Sequence, residues 1–63
     1  MNLTPRERDV ISALARGETV KGAARVLGMS EYTAKDHTRV IRAKLGARTN
    51  TQAVANAVRA GML

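Results

Sequence analysis

The chain has 63 residues, enough for one small core and no second, and the absence of cysteine excludes a disulfide framework and a cysteine-based zinc site. Eleven Lys and Arg against five Asp and Glu give a formal charge of +6, which in so small a domain favours nucleic acid or another anionic surface as partner. With one Tyr and no Phe or Trp, the stacking rings that single strands and RNA loops call for are missing, so duplex DNA is the expected polymer.

Thr4-Pro5-Arg6-Glu7 reads as a helix start, with Thr4 as N-cap, Pro5 at the first helical position and Glu7 placed to close a capping box. Leu3 can pack beneath it as a staple. Val10, Ile11, Leu14 and Ala15 follow at one-face spacing until Gly17, which predicts a first helix near residues 5 to 16. Thr19 caps a short second helix through Leu27, with Val20, Ala23, Ala24 and Leu27 turned inward and Gly28 where a left-handed turn residue is expected. Ser30 caps a third, covering about 30–45. Thr49-Asn50-Thr51-Gln52 repeats the capping-box pattern and opens a fourth helix rich in Ala and Val that stops at Gly61. No strand, linker or repeat is expected, so the fold class is all-α, a single compact domain over residues 1–63.

The third helix has two different faces. At about 100° per residue, Ala34, His37, Ile41 and Leu45 fall on one side, and Tyr32, Lys35, Asp36, Arg39 and Ala43 on the other. Between residues 35 and 48 lie Lys35, Arg39, Arg42, Lys44 and Arg48 against Asp36 alone, so most of the excess charge is gathered here. A short helix, a glycine turn and a second helix with a basic outer face make a helix-turn-helix, whose second helix lies in the major groove. Ala24, four residues before Gly28, lets the two helices approach.

LTPRERDVI, the Gly28 turn, Ser30-x-x-Thr33-x-Lys35-x-His37, Lys44-Leu45-Gly46-x-Arg48 and Gln52-Ala53-Val54 together resemble the LuxR-type (GerE/NarL-like) helix-turn-helix DNA-binding domain over nearly the whole chain. The resemblance implies a four-helix domain that binds double-stranded DNA to control transcription, usually as a dimer through the fourth helix. It also implies that Lys35, Asp36 and Arg39 read bases and that Thr33 and Arg48 lie near the DNA backbone. Tyr32 and Arg42, beside them, complete the expected DNA-binding set. Arg or Lys can donate to guanine O6 and N7, and Asp can accept from cytosine N4. Asp36 has a second reading, an i,i+3 ion pair with Arg39.

On the fourth helix, Ala53, Val54, Ala55, Ala57, Val58 and Ala60 wrap more apolar surface than one small core needs. A homodimer joined through Val54, Ala57 and Val58, with Met62 or Leu63 at the margin, is one expectation; completion of the monomer core by the same valines is the other. Where the family usually has an acid and a large aliphatic in the second helix, this chain has Gly22 and Ala23, and Ala34 replaces a usual Val, so a marginally stable monomer is expected.

No nucleophile, base and orienting acid converge, and His37 has no second His or Cys to share a metal, so no enzyme activity, cofactor or metal is expected. No apolar run is long enough for a bilayer and MNLTPRERD lacks a signal peptide's apolar region, which points to the cytoplasm. The sensor or receiver domain that the family generally carries before this one is not visible after Met1. Two functions follow as expectations: a free-standing regulator acting on DNA, or a small antagonist that captures a full-length LuxR-type regulator in an inactive mixed dimer.

Overall fold

The computed structural model describes residues 2–63, which form four helices: α1 (Pro5–Ala15), α2 (Val20–Leu27), α3 (Glu31–Leu45) and α4 (Asn50–Arg59). No strand occurs among the described residues. Each helix begins where a hydroxyl meets the third backbone N–H: Thr4, Thr19, Ser30 and Thr49 accept from Glu7, Gly22, Thr33 and Gln52 at 3.0–3.1 Å. At Thr4 the box is complete, because the Thr4 N–H donates back to Glu7 Oε1 at 2.9 Å. The box expected at Thr49 is only half formed. Gln52 turns along its own helix and donates to Asn56 Oδ1 at 2.7 Å, so the side chain cannot reach back to the cap.

Gly28 and Gly46 end α2 and α3 in the left-handed region, at φ 69° and 65°. The reversal brings the Met29 N–H onto the Ala24 carbonyl at 3.0 Å and the Ala47 N–H onto that of Arg42 at 2.9 Å. The first of these turns sets α3 across α2 in the helix-turn-helix arrangement.

Leu3, Val10, Ile11, Ile41, Ala53 and Ala57 form the buried centre, with Leu14, Leu27, Met29, Leu45, Val54 and Met62 packed around it. Two expectations about the core are corrected. Ala15 is exposed and Ala13 is fully buried instead: the two flank the Val10–Ile11–Leu14 stripe on opposite sides, and the neighbouring helices cover the Ala13 side. Ala57, expected at a surface between two copies, has no solvent exposure in the single chain, because α4 turns its alanine edge inward against Ile41 and Val10. Ala23 and Ala34 are likewise completely buried, so the helices have closed over the volume that larger residues would fill.

Polar ties hold α3 in place. Lys44, counted above with the basic stretch, points away from it: its Nζ lies 2.7 Å from Glu7 Oε1 and 3.3 Å from the Asn2 carbonyl. The ammonium against Glu7, aided by the Thr4 N–H and opposed by burial, holds that carboxyl below its ordinary value of 4.5. On the other side Asn56 Nδ2 donates to the Leu45 carbonyl at 2.8 Å, fixing α4 to the end of α3.

Candidate nucleic-acid interface

Helix α3 is 15 residues long, with Glu31 in its first turn and Arg42 and Lys44 in its last, an order that suits the helix dipole. Ala34, Thr38 and Ile41 are buried along one side; the Thr38 hydroxyl, which periodicity did not place inward, donates to the Lys35 carbonyl at 2.7 Å and so enters the core satisfied. The opposite side is open. Tyr32, 81% exposed, lines a shallow groove together with Lys35, Asp36, Arg39 and Arg42.

These five expected DNA-binding residues therefore share one concave surface, but in different states. Lys35 pairs with Glu31 one turn earlier at 3.4 Å, and Arg39 Nη2 donates to Asp36 Oδ1. The i,i+3 pair read from the sequence is thus formed. Arg42 is half-buried at the rim, where its Nη1 donates to Asn50 Oδ1 at 2.6 Å and reaches Thr38 Oγ1 at 3.4 Å. Thr33 stands at the start of α3, its hydroxyl accepting from Ser30 Oγ at 2.9 Å. Arg48, exposed in the α3–α4 connection, makes no ion pair among the described residues. Two partners were missed by sequence reasoning. Glu31 carried a usable signal, since Glu four residues before Lys is the favoured helical pair; Asn50 carried none, being eight positions from Arg42 across a turn.

The family model described as "Bacterial regulatory proteins, luxR family" matches residues 1–57, nearly the whole domain that carries this groove. The chain belongs to the LuxR family. It is 42% identical over 57 residues to the transcriptional activator protein BjaR1 of Bradyrhizobium diazoefficiens, covering 90% of this chain and 24% of that protein. Over 61 residues it is 39% identical to the spore germination protein GerE of Bacillus subtilis, covering 97% of this chain and 82% of GerE. In the crystal structure of the Vibrio cholera VqmA–ligand–DNA complex, a superposable domain gives a TM-score of 0.90 at 33% identity, covering 97% of this chain and 27% of VqmA. This LuxR-family chain thus spans under a third of BjaR1 and of the next relatives, MctR and YdfI, and most of GerE. The family is one of DNA-binding transcriptional regulators and not of enzymes.

On α4 the LuxR-family domain leaves Val58 57% exposed, with Leu63 at 43% nearby in the chain, while Val54 and Met62 are half-buried against the core. Val54 also lines a second shallow groove with Leu14, Ala15, Glu18, Val20 and Asn50. Among the described residues no group of three His, Cys, Asp or Glu is placed to hold a metal, and no helix is long and apolar enough to cross a membrane.

Proposed function

We propose that this chain is a sequence-selective DNA-binding transcriptional regulator of the bacterial cytoplasm, with α3 in the major groove. Lys35 and Arg39 face the base edges with Asp36 between them, and each cation is able to donate to guanine O6 and N7. Tyr32, Thr33, Arg42 and Arg48 lie toward the sugar–phosphate backbone, where contacts set register without reading sequence. The observation that carries this reading is the groove on the outer face of α3, lined by Tyr32, Lys35, Asp36, Arg39 and Arg42, in a domain of the LuxR family. In its free-standing form the regulator pairs with a second copy through α4 around Val54 and Val58, with Met62 at the edge. The exposed Val58 supports that arrangement.

The same exposed Val58 favours one other reading, an antagonist whose α4 captures the corresponding helix of another LuxR-type regulator. Gel shifts of the 63-residue chain against genomic fragments at stated salt separate the two. A regulator retards a subset of fragments at physiological salt. An antagonist retards none selectively, and instead removes the shift produced by a full-length LuxR-type protein.

A further inference from the structure

Resting on the reading of α3 as the recognition helix, we infer that Asp36 is a positioning residue: it acts through Arg39, holding the guanidinium for a guanine edge, and does not itself meet a base. Asp36 Oδ1 accepts from Arg39 Nη2 one turn along the helix. Both side chains are open, at 49% and 73% exposure, and an exposed i,i+3 pair adds little to folding. The pair sits in the groove beside Lys35, with Tyr32 and Arg42 also lining it, the latter fixed by Asn50. An acid in this place weakens attraction to every duplex, whatever its sequence. What it supplies is direction.

The lengths of the two side chains decide which one reaches a base. Aspartate has a single methylene, so its carboxylate stays near the surface of α3, whereas the guanidinium at the end of Arg39 extends beyond it. Of the five N–H donors on an arginine, Asp36 engages one on Nη2; a fork onto O6 and N7 takes one donor from each of two nitrogens, and the hydrogens left on Nη1 and Nη2 can supply them. A long cation held in one arrangement before contact loses less freedom on contact, and only a guanine rewards that arrangement fully. Asp36 thereby converts a general attraction into a preference at the base pair that Arg39 meets.

The test uses the full chain and duplexes selected from a random pool, with base preference measured at each position for wild type, Asp36→Ala, Asp36→Asn, Arg39→Ala and the Asp36→Ala/Arg39→Ala pair. Helical circular dichroism checks each variant, and both side chains are exposed enough for replacement to leave the fold intact. Arg39→Ala identifies the base pair that Arg39 reads. Asp36→Ala is expected to lower preference at that same base pair by about 2- to 10-fold while raising affinity for unrelated duplexes. Asp36→Asn, which keeps an acceptor oxygen, should recover part of the preference. In the Arg39→Ala background, Asp36→Ala should leave the preference profile as it is. Relaxation at a base pair that Arg39→Ala leaves untouched would overturn the inference in favour of a direct contact to cytosine. A uniform tightening with no change of preference would overturn it in favour of a surface pair without a role. If wild type itself shows no preference among duplexes, the proposed function fails, and the inference with it.

Discussion

Lys35 and Arg48 carry the same charge but stand differently, and the difference predicts two kinds of loss. Lys35 projects from the middle of the α3 groove beside Asp36, whereas Arg48 lies in the connection after Gly46, in no ion pair among the described residues. Lys35→Ala is expected to reduce discrimination between a preferred and an unrelated duplex by about 1–3 kcal/mol. Arg48→Ala should weaken both duplexes about equally and lower the slope of log affinity against log salt by about 1. Titrations of the two duplexes across a salt series distinguish them; a change of base preference in Arg48→Ala would remove it from the backbone set. At this scale the sequence was most legible where partners are one turn apart, as with Asp36 and Arg39. Lys44 shows the opposite. Its partner Glu7 lies 37 positions away, so nothing local told it from the cations that stay on the open face.

Elements were legible where backbone chemistry dictates an end. Thr4, Thr19, Ser30 and Thr49 cap the four helices as their hydroxyls require, and the glycine after each helix takes a positive φ. The faces of the helices were legible in their large side chains and in the alanines of α2 and α3 in register with them, Ala23, Ala24 and Ala34, but not in every alanine of α1 and α4. Val10, Ile11 and Ile41 declare the core by size, but Ala13 and Ala15 differ only in which flank a neighbour covers, and Ala57 reads equally well as core or as surface. The shortest element is α2, eight residues long with Gly22 as its third. Gly22 has ordinary helical backbone, and an added Cβ would lie 2.5 Å from Glu18 Oε1, the far end of an exposed and flexible side chain. Gly22→Ala is therefore expected to stabilise the domain by about 0.5–1 kcal/mol once Glu18 swings away. Urea denaturation followed by circular dichroism checks this; a loss of stability would mean that Glu18, or the Thr19 cap whose Oγ1 would lie 3.3 Å from the new Cβ, does not give way.

For the molecule as a whole, the Glu7–Lys44 bridge ties the first turn of α1 to the last turn of α3, and it makes stability depend on pH. The Glu7 carboxyl titrates below its ordinary value of 4.5 when folded, chiefly because Lys44 bonds to its charged form. The unfolded chain therefore binds the proton first as pH falls, so this contribution is fully present above about 4.5 and is lost as pH drops through the lower folded value. Glu7→Gln should be less stable than wild type at pH 7 by about 1.5 kcal/mol or more, with a shallower decline below pH 4.5. Thermal unfolding at a series of pH values reads both, and parallel declines would assign the acid sensitivity to other carboxylates. Assembly is tested at Val58, the exposed aliphatic of α4. If copies pair there, Val58→Glu gives a monomer in equilibrium sedimentation and weakens binding to an inverted repeat far more than to a half-site; an unchanged mass would exclude α4 as the joint. Arg42 grips Asn50 at the start of α4 and Asn56 grips Leu45 at the end of α3, so α4 and α3 are riveted at two points. If two copies pair through α4 and meet DNA through α3, as proposed, the pair behaves as a stiff caliper with little play in the jaws. A caliper tolerates poorly any object of the wrong width: one base pair added to or removed from the spacer of an inverted repeat should cost most of the gain from pairing, and Asn56→Ala should make the protein more forgiving of spacing at the expense of grip.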